Sequence, residues 1–153
     1  MKEITAKGDI KNFDAAYSTS CFILLDENKK FLLQHKDKGA PKLANQWTFF
    51  GGRVEEKETP IIAVKREAQE ELKINLTNIK YFGERQCNFE GSKIIQHTYI
   101  AKIPMKLNEL EKRQTEGDRM GMFSFKEIKS KRLKIHPDIY AVLSQLHEKK
   151  IIS

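Results

Sequence analysis

The segment that begins at Thr59 carries the strongest local signal in the sequence and most limits the folds open to the chain. Thr59 can cap the unpaired amides of a helix start, and Pro60 suits the first helical position because its missing N–H needs no partner there. Apolar side chains then recur at spacings of three and four, which predicts an amphipathic helix with one core-facing stripe. The stripe consists of Ile61, Val64, Ala68 and Leu72. The rest of the chain must therefore supply a layer on which this stripe packs.

Strand-like segments on both sides of the helix predict that layer. Residues 17–25 form a strand that continues, after a turn, as a hairpin partner over 31–35. A short aromatic strand follows at 46–50 and is interrupted by Gly51 and Gly52. The remaining predicted elements are strands over about 79–89, 93–103 and 120–125, an irregular segment over 104–118, and a terminal helix over 137–149. Strands mixed with one central and one terminal helix indicate an α/β or α+β sandwich.

Length and composition describe one globular domain. The chain has 153 residues, and its 39% of apolar residues suffice for a core. Its apolar runs are far shorter than the roughly 20 residues of a membrane span, and residues 1–7 lack a secretory signal, so no membrane partner is expected. Cys21 and Cys87 lie far apart without metal-ligand spacing, which favours a reduced, cytoplasmic protein. The net charge of +7 attracts polyanions such as nucleotides, and it makes a cluster of acids conspicuous.

Such a cluster exists on the predicted helix, where Glu67, Glu70 and Glu71 lie on one arc beside the apolar stripe. Like charges three or four residues apart destabilise a helix by roughly a few tenths of a kcal/mol per pair. A hard divalent cation such as Mg²⁺ would remove that repulsion, because it binds carboxylate oxygens and keeps waters that a phosphate can displace. A solvated acidic face is the other interpretation, and the helix alone does not choose between the two.

The residues around the acidic cluster favour the metal site. Gly51 and Gly52 allow positive φ and a close approach of the backbone to a ligand. Glu58 precedes the helix, and Arg66 lies beside Glu70 on the helix wheel. A guanidinium in that position can hold a carboxylate in place from outside the metal shell.

The spacing of these residues resembles the signature of the Nudix hydrolases. Five residues separate the glycine from the first glutamate, and seven separate that glutamate from the Arg-Glu pair, as in the family pattern. The matching positions are Gly52, Glu58, Arg66, Glu67, Ala68, Glu70, Glu71 and Ile74. Lys73 stands where the family has glycine, and Phe50 stands where many members have proline. Lys73 leaves the end of the helix open, since a left-handed residue costs a non-glycine on the order of 1 kcal/mol.

The resemblance implies a single Nudix domain over residues 1–153, folded as an α/β/α sandwich with a mixed sheet between helices. It also implies Mg²⁺ or Mn²⁺ as the cofactor, with Glu58 and Arg66 as organisers of the catalytic cluster. The implied metal ligands are Glu67, Glu70, Glu71 and the backbone carbonyl of Gly51.

The implied reaction is hydrolysis of a phosphoanhydride in a nucleoside diphosphate linked to another group. Metal ions would neutralise the diphosphate and acidify the attacking water. A carboxylate would take the proton of that water, and the resemblance leaves two candidates open. One is Glu67, and the other is an acid of the 104–118 segment, where Glu116 is preferred and Asp118 stands behind it.

The substrate stays open between three interpretations. A small nucleotide is preferred, with Lys36, Lys38 and Lys42 bordering the cleft. Phe50 either lines the cleft or is an aromatic strand residue of the core. The 5′ end of RNA is the alternative, because lysines can track phosphates, but the chain has no arginine-rich stripe and no recognised RNA module. The third interpretation is a non-catalytic nucleotide-binding module, which the intact acidic cluster disfavours. The oligomeric state is not indicated by the sequence.

Overall fold

The structure, a computed structural model, describes residues 14–153 and has a seven-stranded sheet at its centre. The strands are β1 (Tyr17–Leu25), β2 (Phe31–His35), β3 (Trp47–Thr48), β4 (Phe50–Arg53), β5 (Lys80–Phe89), β6 (Ser92–Lys102) and β7 (Arg119–Phe123). The helices are α1 (Pro60–Leu72), α2 (Leu107–Glu111), α3 (Phe125–Ser130) and α4 (Pro137–Glu148). None of the helices in this described part is long and apolar enough to cross a membrane.

The central strand β1 gives the sheet its mixed character. It runs parallel to β6 along its whole length, with Tyr17 opposite Ile94. On its other edge it is antiparallel to β4 and, at Leu25 and Phe31, to β2. This confirms the predicted hairpin, although β4 occupies much of the edge that a simple hairpin would give to β2. The outer strands are all antiparallel: β5 pairs with β6, and both β3 and β7 pair with β2.

Alternate residues of β1 pack into two apolar cores on opposite faces of the sheet. Phe22 and Leu24 pack in the core below α1, whereas Cys21 and Ile23 pack in the core below α4. The predicted inward positions of the terminal helix are all fully buried; they are Ile139, Val142, Leu143 and Leu146. Helices on both faces of a mixed sheet confirm the predicted α/β/α sandwich.

The two ends of α1 show where local sequence determines the helix. The side chain of Thr59 accepts a hydrogen bond from the Ile62 amide at 3.4 Å, as expected of an N-cap. At the other end the helix stops after Leu72, and Lys73 itself adopts the left-handed conformation, with φ 53° and ψ 44°. The lysine thus performs the backbone role of the family's glycine, and the helix does not run on.

Three local predictions are wrong. Ile61 is 41% exposed, and the buried stripe of α1 begins at Ala63. Periodicity predicts which face of a helix is apolar, but it does not predict at which residue that face first meets the sheet. Gly51 and Gly52 do not interrupt a strand but lie inside β4, since the break falls at Phe49. The segment 104–118, predicted to be irregular, contains the short helix α2, and α3 begins at the end of the predicted strand 120–125. Both helices are too short to give a periodic signal.

Candidate active site

A cleft of about 320 Å³ lies across the first half of β1. Thr19 of β1 and its neighbour Gln96 of β6 line it, and the loop over 36–45 contributes Lys36 and Lys42. The part of the lining that contacts the acidic helix consists of Gly51, Gly52 and Glu116. The cleft therefore meets the carboxylates of α1 at these two glycines.

Both glycines are required by close packing between β4, β1 and α1. Gly51 has φ 147°, and a Cβ there would collide with the backbone of Ser20 and Cys21. A Cβ on Gly52 would collide with the carboxylate of Glu67. The Gly51 amide donates a hydrogen bond of 2.9 Å to Oε1 of Glu71. The sequence expectation of a close backbone approach is thus met by the protein's own carboxylates.

Arg66 organises the outer part of the acidic cluster. Its Nε and Nη2 donate to the two oxygens of Glu58 at 2.7 and 2.9 Å. This bidentate interaction lowers the pKa of Glu58 to about 2. Its Nη1 donates to Glu67 at 3.2 Å and to Glu70 at 3.1 Å. Its Nη2 also donates to the carbonyl of Arg53 at 3.0 Å. One guanidinium therefore connects Arg53 and Glu58, which precede α1, with two of the three acids on α1.

Glu71 is the unusual member of the cluster because it is only 3% exposed. Burial is the main cause that raises its pKa to about 10, and the neighbouring carboxyls of Glu116 and Glu67 raise it further. Oε2 of an ionised Glu71 would have no hydrogen-bond donor among residues 14–153. A hydrogen bond with the Glu116 carboxyl further favours the protonated form of Glu71 and so also raises its pKa.

Glu116 reaches the cluster from the segment between α2 and β7. Lys36 Nζ donates to its Oε1 at 3.2 Å. Burial opposes ionisation of Glu116, but the hydrogen bond with Glu71 and the charge of Lys36 outweigh it, so its pKa lies below the ordinary value. At Glu67 the effect of burial is the larger one, so the pKa of Glu67 is raised. The structure thus brings Glu67, Glu71 and Glu116 together.

Other sequence candidates lie elsewhere. Phe50 is fully buried and stacks on Phe22 with ring centroids 5.8 Å apart, so it belongs to the core under α1 and does not line the cleft. Lys38 is exposed and absent from the cleft lining, whereas Lys36 and Lys42 are part of it. Asp118 binds His35 at 2.8 Å instead of joining the carboxylates.

Sequence reasoning missed the polar side chains inside the cleft. Gln34 is 2% exposed, and its Oε1, like Oγ1 of Thr19, is a buried atom without a hydrogen-bond partner in the described chain. Gln96 beside them is also buried. Their strands alternate polar and apolar residues only weakly, so no local pattern distinguishes these three from ordinary strand residues.

Among residues 14–153, no group of three or more His, Cys, Asp and Glu side chains is arranged to hold a metal ion. The chemistry of single groups at the cluster nevertheless fits a hard divalent cation. A cation would give Oε2 of Glu71 the partner that it lacks. Carboxylate oxygens are the donors that Mg²⁺ prefers. Glu67 and Glu71 are best placed to hold it, because Glu70 is exposed and faces Arg66. The carbonyl of Gly51 stays a predicted ligand.

Comparisons with known proteins identify the family and agree with the fold. The family model described as NUDIX domain matches residues 15–146. The chain is similar in structure to the MutT protein from Methanosarcina mazei Go1, with a TM-score of 0.72 and 18% identity over 88% of this chain and 94% of that one. It is also similar to the NUDIX domain of Shewanella oneidensis NrtR, solved with ADP ribose, with a TM-score of 0.68 and 15% identity over 95% and 99% of the two chains.

A third similar structure is a bifunctional NMN adenylyltransferase/ADP ribose pyrophosphatase from Francisella tularensis. Its TM-score is 0.65, with 20% identity over 89% of this chain and 41% of that one. A comparison with curated protein sequences found no match. Since the family model covers most of the described residues and the acidic helix has the family's spacing, the chain belongs to the Nudix hydrolases, enzymes that act on phosphoanhydrides.

Proposed function

We propose that the protein is a Mg²⁺-dependent nucleotide diphosphatase that cleaves a phosphoanhydride in a nucleoside diphosphate linked to another group. The observation that carries the proposal is the buried Glu71, whose Oε2 has no donor in the described chain and lies next to a nucleotide-sized cleft. A buried carboxyl with two carboxylate neighbours is expensive to keep for folding alone. A cation-binding role explains why it is there.

The chain's own residues divide the work as follows. Glu67 and Glu71 would hold the cation, which when bound neutralises the diphosphate and lowers the pKa of water. Arg66 aligns Glu67 through the 3.2 Å contact and is itself held by Glu58. Glu116 or Glu67 would accept the proton of the attacking water, and both are near the glycines at which the cleft ends.

The remaining cleft supports a small nucleotide as substrate. Lys36 and Lys42 supply positive charge at its border, and Thr19, Gln34 and Gln96 supply hydrogen-bonding groups inside it. Phe49, which is 4% exposed, gives the lining an apolar surface. We place the protein in the cytoplasm, since both of its cysteines are free and buried.

The test is a substrate panel with purified protein, assayed with Mg²⁺, with Mn²⁺ and with excess EDTA. Modified and ordinary nucleoside triphosphates, ADP-ribose and triphosphorylated or capped oligonucleotides belong in the panel. We expect metal-dependent release of phosphate or a nucleoside monophosphate from a small substrate. Full turnover in chelator would overturn the mechanism. Preference for the RNA end, with activity that falls steeply with salt, would replace the small nucleotide by RNA.

A further inference from the structure

The segment from Arg113 to Asp118 is bound to the C-terminal end of α1 by contacts that span 40 to 45 residues of sequence. The last carbonyls of a helix have no partner within it, and α1 is no exception. The amides of Lys73 and Ile74 satisfy the carbonyls of Gln69 and Ala68. The carbonyls of Glu70 and Glu71, two of the acids of the cluster, remain to be satisfied from elsewhere.

Thr115 supplies both missing donors. Its hydroxyl donates to the Glu70 carbonyl at 3.0 Å, and its amide donates to the Glu71 carbonyl at 3.1 Å. Next to it, Arg113 donates from Nη1 to the Lys73 carbonyl at 2.7 Å. The residue before Glu116 is therefore bound through its amide to the main chain of Glu71 and through its hydroxyl to the main chain of Glu70.

The other side of Glu116 is equally restrained. Gln114 Nε2 bridges the carbonyls of Glu116 and Arg119 at 2.9 and 3.1 Å. Gly117 has φ 81°, and a Cβ there would collide with the His35 carbonyl and the Gln34 side chain. Among these contacts, those of Thr115 are the ones that join this segment to Glu70 and Glu71 themselves.

We propose that Thr115 is a positioning residue for the reaction, which sets Glu116 beside Glu71 by joining the 113–118 segment to the end of α1. The proposal rests on the proposed function, because it acts through Glu116. Thr115 itself is exposed and at the helix end, so its hydroxyl contributes little to the core. A displacement of about 1 Å at a reacting group can slow catalysis by about a hundredfold, so even a small release of this segment is measurable.

The test compares Thr115→Val, which removes the hydroxyl at nearly constant shape, with Thr115→Ser, which keeps it. Thr77→Val is the matched control, since Thr77 is an exposed threonine in the loop after the same helix. We expect kcat to fall about tenfold in Thr115→Val with KM within about twofold. Thr115→Ser and Thr77→Val should remain within about twofold of the wild type in both constants.

A double-variant cycle shows whether Thr115 acts through Glu116. If it does, Thr115→Val combined with Glu116→Gln is no slower than Glu116→Gln alone. Independent losses that multiply would overturn the proposal, as would a Thr115→Val enzyme that is as fast as the wild type. Full activity of Glu116→Gln would overturn it too, but would leave metal-dependent hydrolysis intact.

A second readout does not need turnover. Thr115 also binds the main chain of Glu71, a proposed metal ligand. Mn²⁺ affinity, measured by electron paramagnetic resonance on the protein with the metal alone, should therefore fall a few-fold in Thr115→Val and recover in Thr115→Ser. Unchanged affinity together with unchanged kcat contradicts the proposal. If no substrate in the panel is hydrolysed, the proposed function fails. A few-fold loss of Mn²⁺ affinity in Thr115→Val then still supports the ordering of the carboxylates by Thr115, and unchanged affinity overturns it. Should Thr115→Val not fold, as judged by circular dichroism, Thr115→Ala takes its place.

Discussion

α1 and α4 are built alike and lie on opposite faces of one sheet, yet they differ in one buried side chain. Each begins with proline at its first turn and packs one apolar stripe on the sheet. The buried positions of α4 are entirely aliphatic. Those of α1 are small or aliphatic except for Glu71, which is also buried, with 3% of its surface exposed. A position that breaks the pattern of its own helix marks the site, because folding alone would favour an apolar residue there.

The first prediction concerns α4, where we expect the largest change in stability. Leu143 is fully buried, and Leu143→Ala should lower the free energy of unfolding by about 2–5 kcal/mol through lost contacts and a residual cavity. The activity per folded molecule should change little, because α4 lies on the far side of the sheet from the acids. Urea unfolding and kcat below the transition measure both quantities. Exposed Glu148→Ala is the control, and a large loss of kcat in folded Leu143→Ala would refute the separation of the two helices.

The second prediction concerns α1, where we expect a loss of activity without a loss of the fold. Glu71→Gln keeps the size of the side chain and removes the charge, so kcat should fall by roughly a hundredfold or more while the fold survives. Exposed Glu56→Gln, outside the contacts of Arg66, controls for the loss of one negative charge. If Glu71→Gln retains activity within a few-fold of the wild type, Glu71 is not a metal ligand.

The third prediction is a pH dependence that α4 cannot produce. The pKa of Glu71 is raised from its ordinary value to about 10 in the folded protein, so between about 4.5 and about 10 the folded state holds a proton that the unfolded state has released. This group therefore makes the metal-free protein less stable as the pH rises through that window. In EDTA, the melting temperature of the wild type should fall relative to that of Glu71→Gln between pH 5 and pH 9. Parallel curves would contradict the burial of an ionisable group there.

The comparison of α1 with α4 also shows which features of the structure could be predicted from the sequence. The four inward residues of α4, the N-cap of α1 and the spacing from Gly52 to Glu71 are local patterns, and the fold and the acids followed from them. The carboxyl of Glu71 is bound by a strand residue 20 positions earlier, and Thr115 binds a helix residue 45 positions earlier, which no local pattern reports. Phe50 was misplaced for a related reason. Its position next to the glycines suggested the cleft, but strand alternation directs its ring to the core under α1.

The last prediction has the smallest expected effect and concerns the end of α1 at Lys73. A non-glycine in the left-handed conformation costs on the order of 1 kcal/mol, and glycine would recover this but lose more backbone entropy on folding. Lys73→Gly should therefore raise the free energy of unfolding by only about 0.5 kcal/mol, which corresponds to about 1–2 °C in melting temperature.

The exposed Lys65 of the same helix provides the matched control for Lys73→Gly. It lies in the right-handed interior, where Lys65→Gly should destabilise the protein by about 1 kcal/mol. Opposite signs in the two variants would show that backbone conformation, and not loss of a lysine charge, determines the result. Destabilisation by Lys73→Gly would mean that its side chain contributes more than its left-handed backbone costs. The carbonyl of Lys73 would still accept from Arg113 in either variant, so kcat should change in neither beyond about twofold.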